Sequence, residues 1–219
     1  MTARLLYGVY GASGHGRESM PLARMALEAR ASELELVFID DDPPAAVVNG
    51  HRVLTYEKFR TAEATAKYVN IAIANSRIRE KLADRCVADG LAFFPIVASN
   101  VVTLDGVDIG AGHILSPFVA LTCNITIGIH FHANIYASVA HDCVIGDYVT
   151  FGPSVTCNGN TVVEDHAYLG TGAILRHGKP GEPLVIGRGA IVGMGAVVTK
   201  SVPPGATVVG NPARPLAKS

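Results

Sequence analysis

The stretch IGAGHILSPFVALTCNITIGIHFHANIYASVAHDCVIGDYVTFGPSVTCNGNTVVEDHAYLGTGAIL, Ile109 to Leu175, decides the fold. Counting in sixes from Ile109 gives Ile109, Leu115, Leu121, Ile127, Ala133, Val139, Ile145, Phe151, Cys157, Val163, Leu169 and Leu175, all apolar. Apolar residues make up 49% of the chain. At that frequency an unbroken run of twelve arises by chance about once in several thousand trials. The residue after each is small or polar in most repeats, as in Gly110, Ser116, Gly128, Asn134, Gly146, Gly152, Asn158 and Gly170. Four places on come small or β-branched side chains such as Val119, Ile125, Ala137, Cys143, Val149 and Ala173. A hexad of this kind is one face of a triangular parallel β-helix, with three hexads and about 18 residues per coil. One slim inward aliphatic fills each face, and Gly or Asn at the corners is expected to permit the turn. The register resumes at Ile186, Val192 and Val198, five residues out of phase. Part of HGKPGEP, His177 to Pro183, therefore loops out of the coil.

Before about residue 97 the grammar differs. Leu5 to Tyr10 reads as a strand, Gly11 to Gly16 as a turn, and Arg17 to Arg30 as a helix with Pro21 in or just after its first turn. A second strand, Leu34 to Ile39, ends in Asp40, Asp41, Asp42, Pro43 and Pro44. Helices are expected over Tyr56 to Lys67 and Ser76 to Ala88, flanking a strand from Tyr68 to Ala74. This alternation predicts a small parallel sheet with helices packed on it. The expected organisation is an α/β Rossmann-like domain over residues 1–97 followed by a β-helix over 98–219.

Composition narrows the function. The chain has 219 residues with 18 Lys plus Arg against 19 Asp plus Glu, and only 17% of its residues are charged. Near-zero net charge without a basic run leaves no electrostatic footprint for a phosphate backbone, so no nucleic-acid partner is expected. No run approaches the roughly 18 apolar residues of a membrane span, and the N-terminus does not read as a signal peptide. The expected address is the cytoplasm, where the four cysteines are reduced thiols.

YGASGHGRE (Tyr10 to Glu18), FIDDD (Phe38 to Asp42), AHDCVIGD (Ala140 to Asp147) and the closing VPPGATVVGNPARP (Val202 to Pro215) together resemble the hexapeptide-repeat nucleotide-sugar acetyltransferases. That family includes 4-amino-sugar N-acetyltransferases and proteins described as sialic acid O-acetyltransferases; within it the chain most resembles the GDP-perosamine N-acetyltransferases. The resemblance spans the whole chain. It implies a left-handed coil, acetyl-CoA as co-substrate, a nucleotide-linked 4-amino-4,6-dideoxy sugar as acceptor, and a homotrimer with sites between subunits. A closed threefold assembly would place three sites at three interfaces.

His141 occupies an outward place in its hexad, so the core does not require it. An imidazole suits removal of an amine proton near neutral pH, and the resemblance makes His141 the base and Asp142 the acid that orients it. A solvated coil histidine is the bland alternative. Gly159, one coil on, is implied as an N–H donor to the thioester oxygen, against a corner glycine needed only for its φ. Asn134 matches a sugar-contacting position, against an Asn in a corner turn.

In the first half, glycines that open a helix can present N–H groups to a diphosphate. The spacing Gly11, Gly14, Gly16 departs from the dinucleotide fingerprint, so NAD is not assigned. The resemblance places Ser13, Gly14 and His15 against the nucleotide sugar and Asp40 with Asp41 near the nucleoside, where a solvated loop is the alternative for the aspartates. The resemblance also makes Ala74 a substrate-binding position through its backbone, at a place where relatives often carry Gly. Thr150, Thr171 and Met194 match positions for acetyl-CoA. His130 and His132 form H-x-H, and a zinc-dependent hydratase class shares this coil, but no metal is expected: the N-terminal half is foreign to that class and Gly146 stands where its usual histidine pair needs a histidine. Cys143 is expected to fill the core rather than serve as a nucleophile.

Overall fold

The computed structural model describes residues 4–30, 34–43 and 45–216. The chain forms two compact units, Met1–Ser99 and Asn100–Ser219.

In the first unit β1 (Leu5–Tyr10) leads through Gly11–Ser13 into α1 (Gly14–Ala26), then β2 (Leu34–Ile39), a hairpin of β3 (Val47–Val48) and β4 (His51–Leu54), α2 (Tyr56–Thr61), β5 (Lys67–Ile71), α3 (Ser76–Ala88) and β6 (Ala92–Phe93). The strand order is β3-β4-β2-β1-β5-β6, with all neighbours parallel except β3 and β4. The chain passes from β1 to β2 on one side and later to β5 on the other, which creates a topological switch point at the C-terminal end of β1. Both faces of this sheet are covered, so β1 and β2 read as apolar runs. Val9, Val37, Phe38, Ile39, Val69 and Ile71 are fully buried. Tyr7 stacks on Tyr68 at 4.7 Å between ring centroids.

Helix α1 starts three residues before the expected Arg17, because the extended Ser13 already serves as its N-cap. Pro21 thus stands well inside the helix rather than near its first turn, on the exposed side. The expected long helix from Tyr56 is the short α2, which ends at Thr61. Helix α3 matches its expected bounds and is capped by Asn75, whose side chain accepts from the N–H groups of Arg77 and Ile78.

The second unit is the left-handed parallel β-helix. The first face carries Ile114–Leu115, His132–Ala133, Thr150–Phe151, Tyr168–Leu169, Ile191–Val192 and Thr207–Val209; the second carries Val102–Thr103, Ala120–Leu121, Ser138–Val139, Thr156–Cys157, Ile174–Leu175 and Val197–Val198. The third carries Val107–Ile109, Ile125–Ile127, Val144–Ile145, Thr161–Val163 and Leu184–Ile186. Leu115 pairs with Ala133, Ala133 with Phe151 and Phe151 with Leu169, one coil every 18 residues. Cys157 still pairs with Leu175, but Val163 pairs with Ile186 and Leu169 with Val192. The five extra residues therefore fall between Leu175 and Leu184, where Lys179 and Glu182 close a small hairpin through mutual backbone hydrogen bonds.

The hexad positions Leu115, Leu121, Ile127, Ala133, Val139, Ile145, Phe151, Cys157, Val163, Leu169 and Leu175 are all buried. Each large aliphatic so buried contributes about 1.5–3 kcal/mol. The corners meet expectation in part: Gly112, Asn124, Asn160, Gly172, Gly189 and Gly195 take the left-handed turn, as Gly or Asn should, but the turn is displaced and other residues share it. Left-handed φ falls not on the residue after the hexad aliphatic but two later, at Phe118, Asn124, His130, Tyr136, Asp142, Tyr148, Ser154, Asn160 and His166. Where a ring occupies such a corner it stacks between coils: Phe118 on Tyr136 at 4.8 Å, and Tyr148 between His130 and His166 at 5.2 and 5.3 Å. The small position answers a different demand. A Cβ at Gly110, Gly152 or Gly170 would stand 2.7–2.8 Å from the backbone of the next coil.

Candidate active site

His141 and Asp142 lie at the corner between the second and third faces, directly after Ser138–Val139. Asp142 takes the left-handed conformation (φ 58°) that turns the chain. Its Oδ2 stands 2.7 Å from His141 Nδ1, and its Oδ1 accepts from Asn124 Nδ2 at 3.3 Å. These two hydrogen bonds, the His141 one foremost, hold the Asp142 carboxyl below its ordinary value. A carboxylate at Nδ1 fixes the tautomer with hydrogen on Nδ1 and leaves Nε2 able to take a proton. Both side chains are about half exposed, so a substrate can reach them.

Gly159 lies one coil further along the same corner. Its φ is not left-handed, which overturns the corner-glycine alternative. It is glycine for space: a Cβ there would meet His141 Cε1 at 2.6 Å and Nε2 at 2.7 Å. The imidazole lies over the bare backbone of Gly159. Beneath the corner, Cys143 and Cys157 are buried, and Cys143 Sγ donates to Asn158 O at 3.4 Å, as a core filler does.

Asn134, Thr171 and Met194 lie at another corner, between the first and second faces, and Thr150 is buried on the first face. Asn134 Nδ2 donates to Phe151 O at 2.9 Å, tying one coil to the next as Asn158 does with Leu175 O. Met194 is 80% exposed. Within one chain, therefore, His141, Asp142 and Gly159 come together, while Asn134, Thr150, Thr171 and Met194 do not join them.

In the first unit the candidate residues converge at the switch point: Ser13, Gly14 and His15 after β1, Asp40 and Asp41 after β2, and Ala74 after β5. The first turn of α1 has no side-chain cap, so Ser13 leaves its N-terminal N–H groups uncovered by its hydroxyl. Gly16 permits the approach of α1 to β1, since any Cβ there would collide with the Gly11 carbonyl oxygen. Burial lowers the His15 imidazole below its usual value, against the opposing pull of Glu18 at 3.8 Å. Asp40 accepts from Ala12 N–H at 2.9 Å and Asp42 N–H at 3.1 Å, bracing the glycine loop. Asp41 accepts from Tyr56 N–H at 2.7 Å, Tyr10 OH at 2.9 Å and Arg85 at 3.2 Å. Burial alone would push this carboxyl up, but the three donors hold it below its ordinary value. Buried Arg79 donates to Ile73 O and Ala74 O, fixing the Ala74 loop.

Sequence reading missed Asn124, although counting one coil back from Asp142 lands on it. It also missed Tyr10, Tyr56 and Arg85, for which no local spacing gives a signal. His130 and His132 are buried. Among the described residues no group of three or more His, Cys, Asp or Glu is placed to hold a metal, and no helix is long and apolar enough to cross a membrane.

Residues 8–86 match the PglD N-terminal domain family. Over 98% of its length the chain is 49% identical to a GDP-perosamine N-acetyltransferase of Escherichia coli O157:H7, of which it covers 97%. Among solved structures, WeeI from Acinetobacter baumannii AYE superposes with a TM-score of 0.94 at 57% identity, covering 97% of this chain and 100% of that one. The acetyltransferase domain of PglB from Neisseria gonorrhoeae FA1090, in complex with acetyl coenzyme A, gives 0.83 at 29% identity over 98% and 100%. A histidine–aspartate pair on a hexad coil, a glycine-loop α/β unit before it and full-length likeness to these enzymes lead to one assignment: the chain belongs to the hexapeptide-repeat nucleotide-sugar N-acetyltransferases.

Proposed function

We propose that the protein transfers acetyl from acetyl-CoA to the 4-amino group of a nucleotide-linked 4-amino-4,6-dideoxy sugar, GDP-perosamine being the favoured acceptor. The carrying observation is the 2.7 Å contact between His141 Nδ1 and Asp142, with the imidazole lying over Gly159. The amine nitrogen attacks the thioester carbonyl carbon and a C–N bond forms. His141 Nε2 takes the amine proton, Asp142 stabilises the imidazolium, and the Gly159 N–H faces the oxyanion. The C–S bond then breaks, and the proton passes to the departing CoA thiolate.

The N-terminal unit holds the nucleotide sugar. Ser13, Gly14 and His15 at the open start of α1 suit a diphosphate, with Ala74 beside them and Asp40 and Asp41 shaping the nucleoside edge. Thr150, Thr171, Met194 and Asn134 serve a site that a neighbouring copy completes, because their faces of the coil are not that of His141. A homotrimer supplies such neighbours. The preference for GDP-perosamine rests on the 49% identity to an enzyme of that name, and the role we assign with it is cytoplasmic O-antigen precursor synthesis. CoA release with acetyl-CoA and a panel of GDP-, UDP- and dTDP-linked 4-amino sugars tests this reading. Turnover confined to CMP-sialic acid or free sialic acid would instead show O-acetyl transfer.

A further inference from the structure

Building on the assignment of His141 as base, we propose that Asn124 is a positioning residue that holds the Asp142 carboxylate in the orientation His141 needs. Asn124 precedes Asp142 by one coil, and both occupy the left-handed corner position, with φ of 55° and 58°. The backbone is pinned at each level: Asn124 N–H donates to Asp105 O, Asp142 N–H to Cys123 O, and Asn160 N–H to His141 O. Amide, carboxylate and imidazole therefore follow one another in a line. Asn124 Nδ2 donates to Asp142 Oδ1 at 3.3 Å, and Asp142 Oδ2 meets His141 Nδ1 at 2.7 Å. An ionised carboxylate accepts only, so the amide must present its NH2 upward. Its oxygen faces down to Gly106, where a Cβ would stand 3.0 Å away.

Asp142 is half exposed, and without the amide its carboxylate can rotate away and take water as a partner. Each of its oxygens now has one protein donor, which selects the rotamer that faces the imidazole. Outer partners of metal-bound ligands change activity by about 10–100-fold when removed, and an amide that orients the acid behind a base acts on its group in the same way. An Asn at a corner could also serve only to tolerate φ > 0, so the test must separate the two roles.

The experiment is steady-state CoA release by the full-length protein, with thermal melts alongside. Asn124→Gly keeps the left-handed corner and removes the amide; kcat is expected to fall about 10-fold with both KM values within about twofold. In an Asp142→Asn background the same change should have no further effect, because it acts through Asp142. Asn124→Asp keeps the corner but sets a second carboxylate against Asp142. That charge retains a proton at the dyad, so the acid limb of kcat/KM should move up by about 0.5–1 pH unit. An unchanged kcat in Asn124→Gly, an equal loss with and without Asp142, or an unmoved acid limb in Asn124→Asp would each overturn the proposal. His141→Asn separates the readings: retained turnover there sinks the base assignment itself, while its loss beside an unaffected Asn124→Gly sinks only the role of Asn124.

Discussion

The ring of His141 lies over the backbone of Gly159, one coil away, at a spot where a Cβ would stand 2.6 Å from Cε1. Gly159→Ala must push the imidazole aside rather than strain the corner, because the obstructing atoms belong to an exposed side chain. Activity should fall about 10²-fold, the cost of misplacing a reacting group by roughly 1 Å. The melting temperature should stay within about 2 °C of wild type, since an exposed side chain can yield at little cost. Parallel CoA-release and thermal-melt measurements check this, and an equal loss of both would assign Gly159 to folding.

His141→Asn removes the proposed base while keeping a polar side chain of similar reach. We expect kcat to drop about 10²–10⁴-fold, the usual contribution of general-base catalysis, with binding of acetyl-CoA little changed. Asp142→Asn should cost less, because the imidazole survives without its partner. Single-turnover rates and isothermal titration with acetyl-CoA give the two readouts.

Asp41 predicts an acid-dependent stability. Its carboxyl lies below its ordinary value in the fold, so its stabilising contribution is fully present above the unfolded value of about 3.9 and is lost as pH falls through the folded value. Asp41→Asn places an NH2 against donors and, with the side chain half exposed to water, should cost about 0.5–1.5 kcal/mol at pH 7. The gap between wild type and variant should close as the pH drops below about 4. Urea melts between about pH 3 and pH 7 would show it, and a gap independent of pH would contradict the role of the charge.

Gly16→Ala forces α1 away from the Gly11 carbonyl and disturbs the loop that presents Ser13, Gly14 and His15. A loss of about 1–3 kcal/mol is expected for such a backbone clash. KM for the nucleotide sugar should rise while that for acetyl-CoA stays. Equal changes in both would argue against the N-terminal unit as the sugar site.

Much of the architecture was legible because a hexad repeat states its own period. Twelve apolar residues at spacing six, and a phase jump of five after Leu175, locate the coil and the loop that leaves it. The corners were harder to read. Phe118, Tyr136, Tyr148 and His166 look like unsuitable residues for left-handed backbone, and only stacking between coils explains them. Gly159 resembled a corner glycine until the ring above it showed why no side chain fits.

The same division runs through the candidate site. His141 and Asp142 are chain neighbours, so their partnership could be read from the residues together with family likeness. Asp40 and Asp41 were equally visible as an acidic loop, yet their carboxylates brace Ala12, Tyr10, Tyr56 and Arg85. By itself the sequence determined the periodic coil, the α/β unit before it and the residues able to exchange a proton, because local spacing and side-chain chemistry are written in order along the chain. Tertiary structure alone decided that Asn124 meets Asp142, that Gly159 makes room for His141 and that Asn134 and Met194 stand at a different corner. Those outcomes depend on the orientation of side chains stacked from separate coils, which the order of residues does not state.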